Sequence, residues 1–394
     1  MSGTSAVLAG VRVLDSSRML PGAVLARSLL ALGAEVIKLE DPRGGDPLRA
    51  MPPRRGDVGV GFSLFYAGAR SVTARLGTEE GNAAVRALLQ RTDVWIESFR
   101  PGTLAGWGLD PAAQRQLHPR LVTVSLPSFA TADADRDAVA HDLNALARTG
   151  LLARTGAVDV PKVQLADVTC GLLAGQAVLA ALLQRGRTDC GMHVEQPLCS
   201  GALPLLAWPW ADAAACGRIG ATDSLIGGAV PAYAIYRAGD GERLAVGCLE
   251  PKFWAGLCTL LELPDAIPDG LRTDARGEAA RALVSERFAS APASVWVQRA
   301  HAAGLPVDRI VDVPELAAAQ GDAAPTRWLG SLFEHVPMRD GSVLAVPSRL
   351  LPSFEQPPRG PAPALGEHSR AELAACGLSD AAIDACLPAS AQSR

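Results

Sequence analysis

Strand and helix signals alternate along the first 125 residues of this 394-residue chain, and no other feature of the sequence restricts the fold as much. A helix that opens at Pro21 and stops at Gly33, for example, lies between two short runs of branched apolar residues. The predicted strands are 11–14, 36–39, 94–97 and 121–125, and a second predicted helix covers 79–90. Strands that alternate with helices indicate a doubly wound parallel sheet, that is, a Rossmann-like α/β domain. Such sheets bind ligands beyond the carboxyl ends of their strands.

The remainder of the chain predicts a second, smaller domain between two long connections. At about 150 residues per domain, the length allows two or three domains. Residues 126–167 are expected to be loop-rich, followed by a long apolar helix from Val168 to Gly186 and a strand at 193–196. The predicted division is a large α/β domain at 1–196, a linker at 197–230, a small α+β domain at 231–310, and a return linker with a strap and C-terminal helices at 311–394.

Composition argues against several classes of protein. With 37 Lys and Arg against 41 Asp and Glu, the net charge is −4, and no basic stripe offers a surface for nucleic acid. The N-terminus lacks the segments of a secretory signal, and the apolar helix at 168–183 is short for a membrane span, so no membrane association is expected. Eight cysteines without CxxC spacing suit free thiols in a reducing cytoplasm. The turn at 16–22 lacks the GxGxxG pattern of NAD-dependent dehydrogenases.

Three short motifs carry the candidate chemistry. His141 opens the motif His-Asp-Leu-Asn, Asp167 precedes the long apolar helix, and Glu250 stands before a proline. An imidazole and two carboxylates are the groups needed to remove a weakly acidic C–H proton and return it from the opposite face. Histidine changes charge near neutral pH without special tuning. A carboxylate at the N-cap of a helix is favoured by the free N–H groups there, one of which could also bind an enolate oxygen.

Each of the three residues also has an ordinary structural explanation. Asp142 could be the partner of His141, an aspartate before a helix is most often an N-cap, and a glutamate before a proline can belong to a surface turn. Chemistry is favoured because the three occur together with a wider set of motifs. These motifs are LAGVRVLD at 8–15, LGAEVIKLE at 32–40, SFRPG at 98–102 and LGEH at 365–368.

Taken together, the motifs resemble those of the class III CoA-transferase superfamily (CaiB/BaiF type) over nearly the whole chain. The histidine and glutamate motifs are most similar to those of its α-methylacyl-CoA racemase branch. The resemblance implies racemisation or epimerisation at the α-carbon of a 2-methylacyl-CoA thioester, in which His141 and Asp167 are the two bases and Glu250 orients the imidazole. It further implies that the large domain binds coenzyme A as part of the acyl-CoA substrate, with no permanently bound cofactor and no metal.

The resemblance also points to phosphate-binding residues and to an assembly. The basic candidates for the CoA phosphates are Lys38, Arg49, Arg70 and Arg100. Gly77 and Gly106 occupy positions that are often basic in the family, and Gln164 stands where racemases often have an asparagine. The family implies an interlocked homodimer in which Glu250 faces His141 of the other subunit, and the long proline-rich connections agree with such an assembly.

Two other functions remain open at this point. In a CoA-transferase, Asp167 would be the nucleophile that accepts the acyl group. The retention of His141 and Glu250 favours the racemase over this alternative. The third possibility is a non-catalytic subunit of a CoA-transferase-like complex. The glycines at positions 77 and 106, where the family often has basic residues, are consistent with this possibility.

Overall fold

A computed structural model describes residues 6–156, 159–216, 225–318, 332–346, 351–354 and 356–387. The chain forms two units, one made of Met1–Leu205 and Leu329–Arg394 and the other of Leu206–Trp328. The strands are β1 (Arg12–Asp15), β2 (Glu35–Glu40), β3 (Arg54–Arg55), β4 (Val58–Gly59), β5 (Arg70–Thr73), β6 (Val94–Glu97), β7 (Val122–Ser125), β8 (His193–Glu195), β9 (Tyr233–Arg237), β10 (Arg243–Gly247), β11 (Val307–Arg309), β12 (Glu334–Pro337) and β13 (Val343–Val346). The helices are α1 (Leu20–Ala31), α2 (Val60–Tyr66), α3 (Glu79–Leu89), α4 (Thr103–Gly106), α5 (Pro111–Leu117), α6 (Asp142–Thr149), α7 (Leu151–Arg154), α8 (Leu165–Thr188), α9 (Leu198–Gly201), α10 (Ala207–Cys216), α11 (Pro251–Leu260), α12 (Ala275–Phe288), α13 (Ala293–Ala302), α14 (Val313–Ala318), α15 (Ser369–Ala375) and α16 (Asp380–Cys386).

Six parallel strands form the central sheet of the first unit, in the order β5–β2–β1–β6–β7–β8. Consecutive side chains such as Val13 and Leu14 are both fully buried, as expected for a parallel sheet covered on both faces. The strand order reverses between β1 and β6, the kind of switch point at which such sheets bind ligands. The predicted doubly wound α/β fold is therefore confirmed. Strand β5 was missing from the prediction because its sequence, Arg-Ser-Val-Thr, has little apolar character.

Helix α8 was predicted to start at Val168. It begins three residues earlier and runs for 24 residues. It has the length and composition of a membrane span, so the expectation that it is too short for one is wrong, although buried core helices pass the same test. In this fold α8 packs along α1, and Arg185 near its end pairs with Asp93 at 2.8 Å. Gly171 permits the packing, because a Cβ there would lie 2.6 Å from the carbonyl oxygen of Pro21.

Residues 126–167, predicted to be loop-rich, contain helices α6 and α7. Helix α6 has only eight residues, and Asp142 and Asn144 in its first turn belong to residue types that favour turns and caps over helix interiors. Here the asparagine supports the helix, because its Oδ1 accepts a hydrogen bond from the main-chain N–H of His141 at 3.1 Å. The polar start of α6 explains why this segment was predicted to be loop.

The second unit is an antiparallel sheet covered by helices. Its strands follow the order β11–β10–β9. Alternate residues of β10, Leu244 and Val246, are buried and belong to an apolar core with Trp254, Phe288 and Trp296. These three aromatic residues come from α11, α12 and α13, so each helix contributes one large side chain to the core.

The C-terminal segment rejoins the first unit, where the LGEH motif binds the edge strand β5. The ring Nδ1 of His368 accepts a hydrogen bond from the Ser71 N–H at 3.2 Å, and the Ser369 hydroxyl accepts one from the Thr73 N–H at 3.0 Å. This motif therefore has a structural role. Part of the predicted proline-rich strap at 346–363 lies outside the described residues, namely positions 347–350 and 355.

Candidate active site

Asp167 is the third residue of α8, and Gln164 holds the N-cap position. The expectation that Asp167 itself caps the helix is therefore wrong, because the N-cap lies three residues earlier. Instead, Oδ1 of Asp142 accepts hydrogen bonds from the main-chain N–H groups of Ala166, at 2.8 Å, and of Asp167, at 3.1 Å. The N–H of Asp167, one of the N–H groups at this helix start, is thus occupied by a carboxylate from α6 and is not free for an enolate oxygen.

The carboxyl group of Asp167 is strongly perturbed. Its pKa is raised from 3.8 to about 7, mainly because burial disfavours the charged form and secondly because Asp142 is a like charge beside it. A carboxyl group that changes its protonation near neutral pH can both accept and release a proton there. Sequence reasoning identified the residue but not this property, which depends on its surroundings in the fold.

Close packing fixes the start of α8. Besides the contact of Gly171 with α1, Gly201 of α9 lies so close that a Cβ would be 2.7 Å from the carbonyl oxygen of Ala166. Met19, just before α1, has φ 67° and ψ −160°, a conformation common only for glycine. This strained residue stands two positions before Pro21, whose carbonyl oxygen abuts Gly171. Backbone strain therefore occurs at the β1–α1 junction, beside the helix that carries Asp167.

His141 joins the same site through its neighbour. It is the exposed N-cap residue of α6, and Asp142, the next residue, hydrogen-bonds the main chain of Asp167. The Asp142 carboxylate accepts hydrogen bonds from the first turn of α8, so the alternative in which Asp142 serves as the ordinary partner of His141 gains no support. His141 and Asp167 thus belong to two helix starts that the Asp142 carboxylate connects.

Glu250 belongs to the second unit, where it is the N-cap residue of α11. Its carbonyl oxygen accepts hydrogen bonds from the N–H groups of Phe253, at 2.9 Å, and Trp254, at 3.0 Å, and the residue is exposed. Its main chain thus opens the helix while its side chain remains accessible. The role in orienting His141 stays a prediction.

A cleft of about 200 Å³ opens beyond the carboxyl ends of β1 and β2. Lys38, one of its lining residues, is fully buried, with its Nζ 3.3 Å from an oxygen of Asp15 and 3.0 Å from an oxygen of Asp46. Burial alone would lower the pKa of Lys38, but Asp15 and Asp46 raise it above its ordinary value. The lysine therefore stays charged in the wall of the cleft, and two carboxylates already balance its charge.

The other three predicted phosphate ligands lie outside the residues that line this cleft. Arg49 pairs with Glu40 at 2.6 Å, and Arg70 pairs with Glu372 at 2.5 Å. Arg100 is exposed and lines a different cleft. Their role toward CoA remains a prediction.

Two arginines that the sequence analysis did not single out do line the first cleft. Arg18 follows β1 and is exposed, and Arg43 is 71% exposed while pairing with Asp41 at 2.6 Å. Arg18 follows β1, which borders the switch point, and Arg43 follows the neighbouring strand β2; these positions beyond strand ends are the signal that would have found them. Both can reach solvent-borne anions without breaking a buried ion pair.

The glycine at position 77 has a local structural reason. Gly77 has φ +85°, and a Cβ there would lie 3.1 Å from Nε1 of Trp107, which lines the first cleft. A basic residue at this position would be strained and would crowd the indole ring. By contrast, a Cβ on Gly106 would meet no atom within 4 Å.

Comparison with known proteins gives the class of this chain. The profile of CoA-transferase family III matches residues 8–369, so the chain belongs to that family, as its motifs predicted. The protein is therefore an enzyme, either a CoA-transferase or an acyl-CoA racemase.

Among its relatives, the acetyl-CoA:oxalate CoA-transferase of Acetobacter aceti is 28% identical over 80% of this chain and 83% of that protein. The α-methylacyl-CoA racemase of Homo sapiens is 27% identical over 94% of each chain. A crystal structure of the hypothetical protein Rv3272 from Mycobacterium tuberculosis superposes with a TM-score of 0.79 and 26% identity over 94% of this chain and all (100%) of that one. Both reactions thus occur among proteins similar to this chain.

Proposed function

We propose that the protein racemises or epimerises the α-carbon of a 2-methylacyl-CoA thioester by proton transfer between His141 and Asp167. The observation that carries the proposal is the Asp167 carboxyl group, whose pKa of about 7 suits a group that must take a proton in one direction and give it in the other. Its partner, His141, is the side-chain type that most often performs this role near neutral pH.

The proposed reaction moves one proton across a planar intermediate. For one enantiomer, neutral His141 removes the α-proton and protonated Asp167 delivers its own proton to the opposite face of the enolate. For the other enantiomer, ionised Asp167 removes the proton and the imidazolium delivers one. Both starting states hold one proton in the pair, and each direction converts one state into the other. Glu250 is proposed to orient the imidazole and to stabilise its charged form.

We propose the first cleft as the site of the CoA nucleotide. It lies beyond β1 and β2 at the switch point, where sheets of this type bind nucleotides. Arg18 and Arg43 are placed to bind the phosphates, because their guanidinium groups are accessible. Lys38, buried and paired with Asp15 and Asp46, is part of the wall behind these two arginines.

The second candidate function is CoA transfer through Asp167 as nucleophile. It is favoured by the names of relatives such as the succinyl-CoA:glutarate CoA-transferase of Mus musculus, 28% identical over 92% of this chain and 85% of that protein. The chemistry needs an ionised carboxylate that attacks the thioester carbonyl, releases CoA thiolate and leaves an acyl anhydride on Asp167. Nothing in this step requires His141 to exchange a proton with the substrate.

Proton exchange separates the two reactions. The enzyme would be incubated in deuterated water with each enantiomer of a 2-methylacyl-CoA, and separately with an acyl-CoA and a free carboxylic acid. Deuterium at the α-carbon without acyl transfer supports the racemase. Acyl transfer without exchange, together with hydroxylamine trapping of Asp167 as a hydroxamate, would replace it with the transferase. Neither activity in the folded protein would point to the non-catalytic subunit.

We also propose that the enzyme acts as an interlocked homodimer in the cytoplasm. Helix α8 exposes four apolar side chains along one stretch of its length, a feature expected of a surface that another chain covers. They are Val168 (38% exposed), Leu172 (45%), Leu179 (37%) and Leu183 (62%). Because α8 also carries Asp167, assembly would enclose the candidate site. The free cysteines of the described part of the chain agree with a reducing compartment.

A further inference from the structure

A second cleft, of about 210 Å³, lies beyond the carboxyl ends of β6 and β7. Its lining includes Glu97 and Ser125, the last residues of those strands, together with His193. The residues that line it include neither His141 nor Asp167, and Phe99 is the one lining residue it shares with the first cleft. The chemistry proposed above makes no use of these polar groups.

Arg115 of α5 adds a positive group to the lining of this cleft. Its Nε is buried and donates no hydrogen bond to any described residue. A ligand in the cleft would meet this guanidinium through its terminal nitrogens, because the Nε itself is buried. Asp110, the nearby lining carboxylate, already accepts hydrogen bonds at its Oδ1 from the N–H groups of Ala112 and Ala113.

Glu97 adds a buried carboxyl group to the lining. It is 6% exposed, and one of its oxygens accepts from the N–H of Phe99 at 2.8 Å. Burial raises its pKa, opposed by hydrogen bonds from Ser125 and Phe99, while the carboxylate of Glu195 acts in the same direction as burial. Only the protonated form of this carboxyl group, which burial favours, can donate a hydrogen bond to a bound anion.

The remaining lining groups restrict the size and polarity of a ligand. Leu104, Ala105 and Pro127 provide apolar wall, and Arg100 stands as a second positive group. His193 is held by the Thr123 hydroxyl, 2.9 Å from its Nδ1. An anion with a short hydrocarbon part can pair with the guanidinium and pack against the apolar wall. Inorganic phosphate could pair with the guanidinium but would make no apolar contact.

From this arrangement we infer that the second cleft binds a small carboxylic acid, with the carboxylate on Arg115 and the hydrocarbon part against Leu104 and Pro127. The site is separate from the place where Asp167 acts on the thioester. A free acid could therefore bind to the protein while the proposed CoA cleft is filled.

Titration calorimetry with butyrate on the full-length protein tests the inference. We expect butyrate to bind, Arg115→Ala to weaken its binding at least tenfold, and Arg120→Ala, which removes an exposed arginine paired with Asp189, to leave it unchanged. Saturating CoA should not displace butyrate, and inorganic phosphate should bind at least tenfold more weakly. Absence of butyrate binding, equal effects of the two arginine variants, competition by CoA, or equal binding of phosphate would each overturn the assignment.

Two alanine-to-phenylalanine variants test the cleft by steric filling if Arg115→Ala does not fold. Ala112 and Ala113 are adjacent exposed residues of α5, but only Ala112 is among the residues that line the cleft. Ala112→Phe should fill the cleft and weaken butyrate binding at least tenfold, while Ala113→Phe should bind butyrate like the wild type. The same affinity in both variants would remove the cleft as the binding site.

Discussion

Asp142→Asn is the substitution that most directly tests how the site tunes Asp167. An asparagine Oδ1 can still accept the hydrogen bonds from the N–H groups of Ala166 and Asp167, so the start of α8 keeps its cap while the negative charge is removed. Because burial is the larger cause, the charge of Asp142 accounts for less than half of the rise from 3.8 to about 7. The substitution should therefore lower the pKa of Asp167 to a value between about 5.4 and about 7.

The pH dependence of racemisation measures this change. We expect the acidic limb of the rate profile to move to lower pH by at most about 1.6 pH units in Asp142→Asn. Asp135→Asn, which removes an exposed charge paired with Arg148, is the matched control and should leave the profile in place. Asp142→Ala also removes the cap and should cost roughly 1 kcal/mol of stability. An unmoved limb in folded Asp142→Asn, or a limb moved to higher pH, would refute the electrostatic reasoning.

Three further predictions concern stability and assembly. Because the pKa of Asp167 is raised in the folded state, the wild-type protein should lose stability as the pH rises through about 7. In chemical unfolding at pH 8, Asp167→Asn should be more stable than the wild type by roughly 1–3 kcal/mol, and at pH 3 the two should be nearly equal. A variant less stable than the wild type at pH 8 would contradict this. Gly171→Ala should lose about 1–3 kcal/mol because its Cβ would strike a main-chain oxygen of α1, whereas Gly175→Ala, whose Cβ would lie 3.7 Å from its nearest neighbour, should be neutral or stabilising; equal melting temperatures would be incompatible with the packing. Mixing His141→Ala with Glu250→Ala chains by co-refolding should restore part of the activity if sites are shared, and full activity in a monomer identified by light scattering would exclude sharing.

The sequence predicted the central sheet well because its buried strands are nearly continuous apolar runs bounded by clear turns. The edge strand β5 escaped because its pairing partners lie far away along the chain: β2 on one side and the His368 motif on the other. Local patterns cannot show that such a polar segment is paired. The same limit explains α6, whose stability depends on a cap and on packing against α8 and α9.

The candidate site was predictable in its residue types but not in its electrostatics. Asp142 and Asp167 stand 25 residues apart, so no local pattern indicates that the first caps the helix of the second. The ion pairs of Lys38 with Asp15 and Asp46 could not be predicted either, since a lysine in a strand is usually a surface residue. The raised pKa of Asp167 and the ion pairs of Lys38 depend on burial and on partner residues. Burial and partners are set only when the chain folds.

The shape of the pH profile finally separates the two candidate chemistries at the same carboxyl group. Acyl transfer needs Asp167 only in its ionised form, so its rate should rise as pH passes through about 7 and then stay high. Racemisation needs one proton shared between His141 and Asp167, so its rate should fall when the pair holds two protons and again when it holds none. A bell-shaped profile for exchange in both directions is therefore expected of this protein. A single rising limb that reaches a plateau would instead mean that Asp167 acts as a nucleophile and that its raised pKa restrains the reaction at neutral pH.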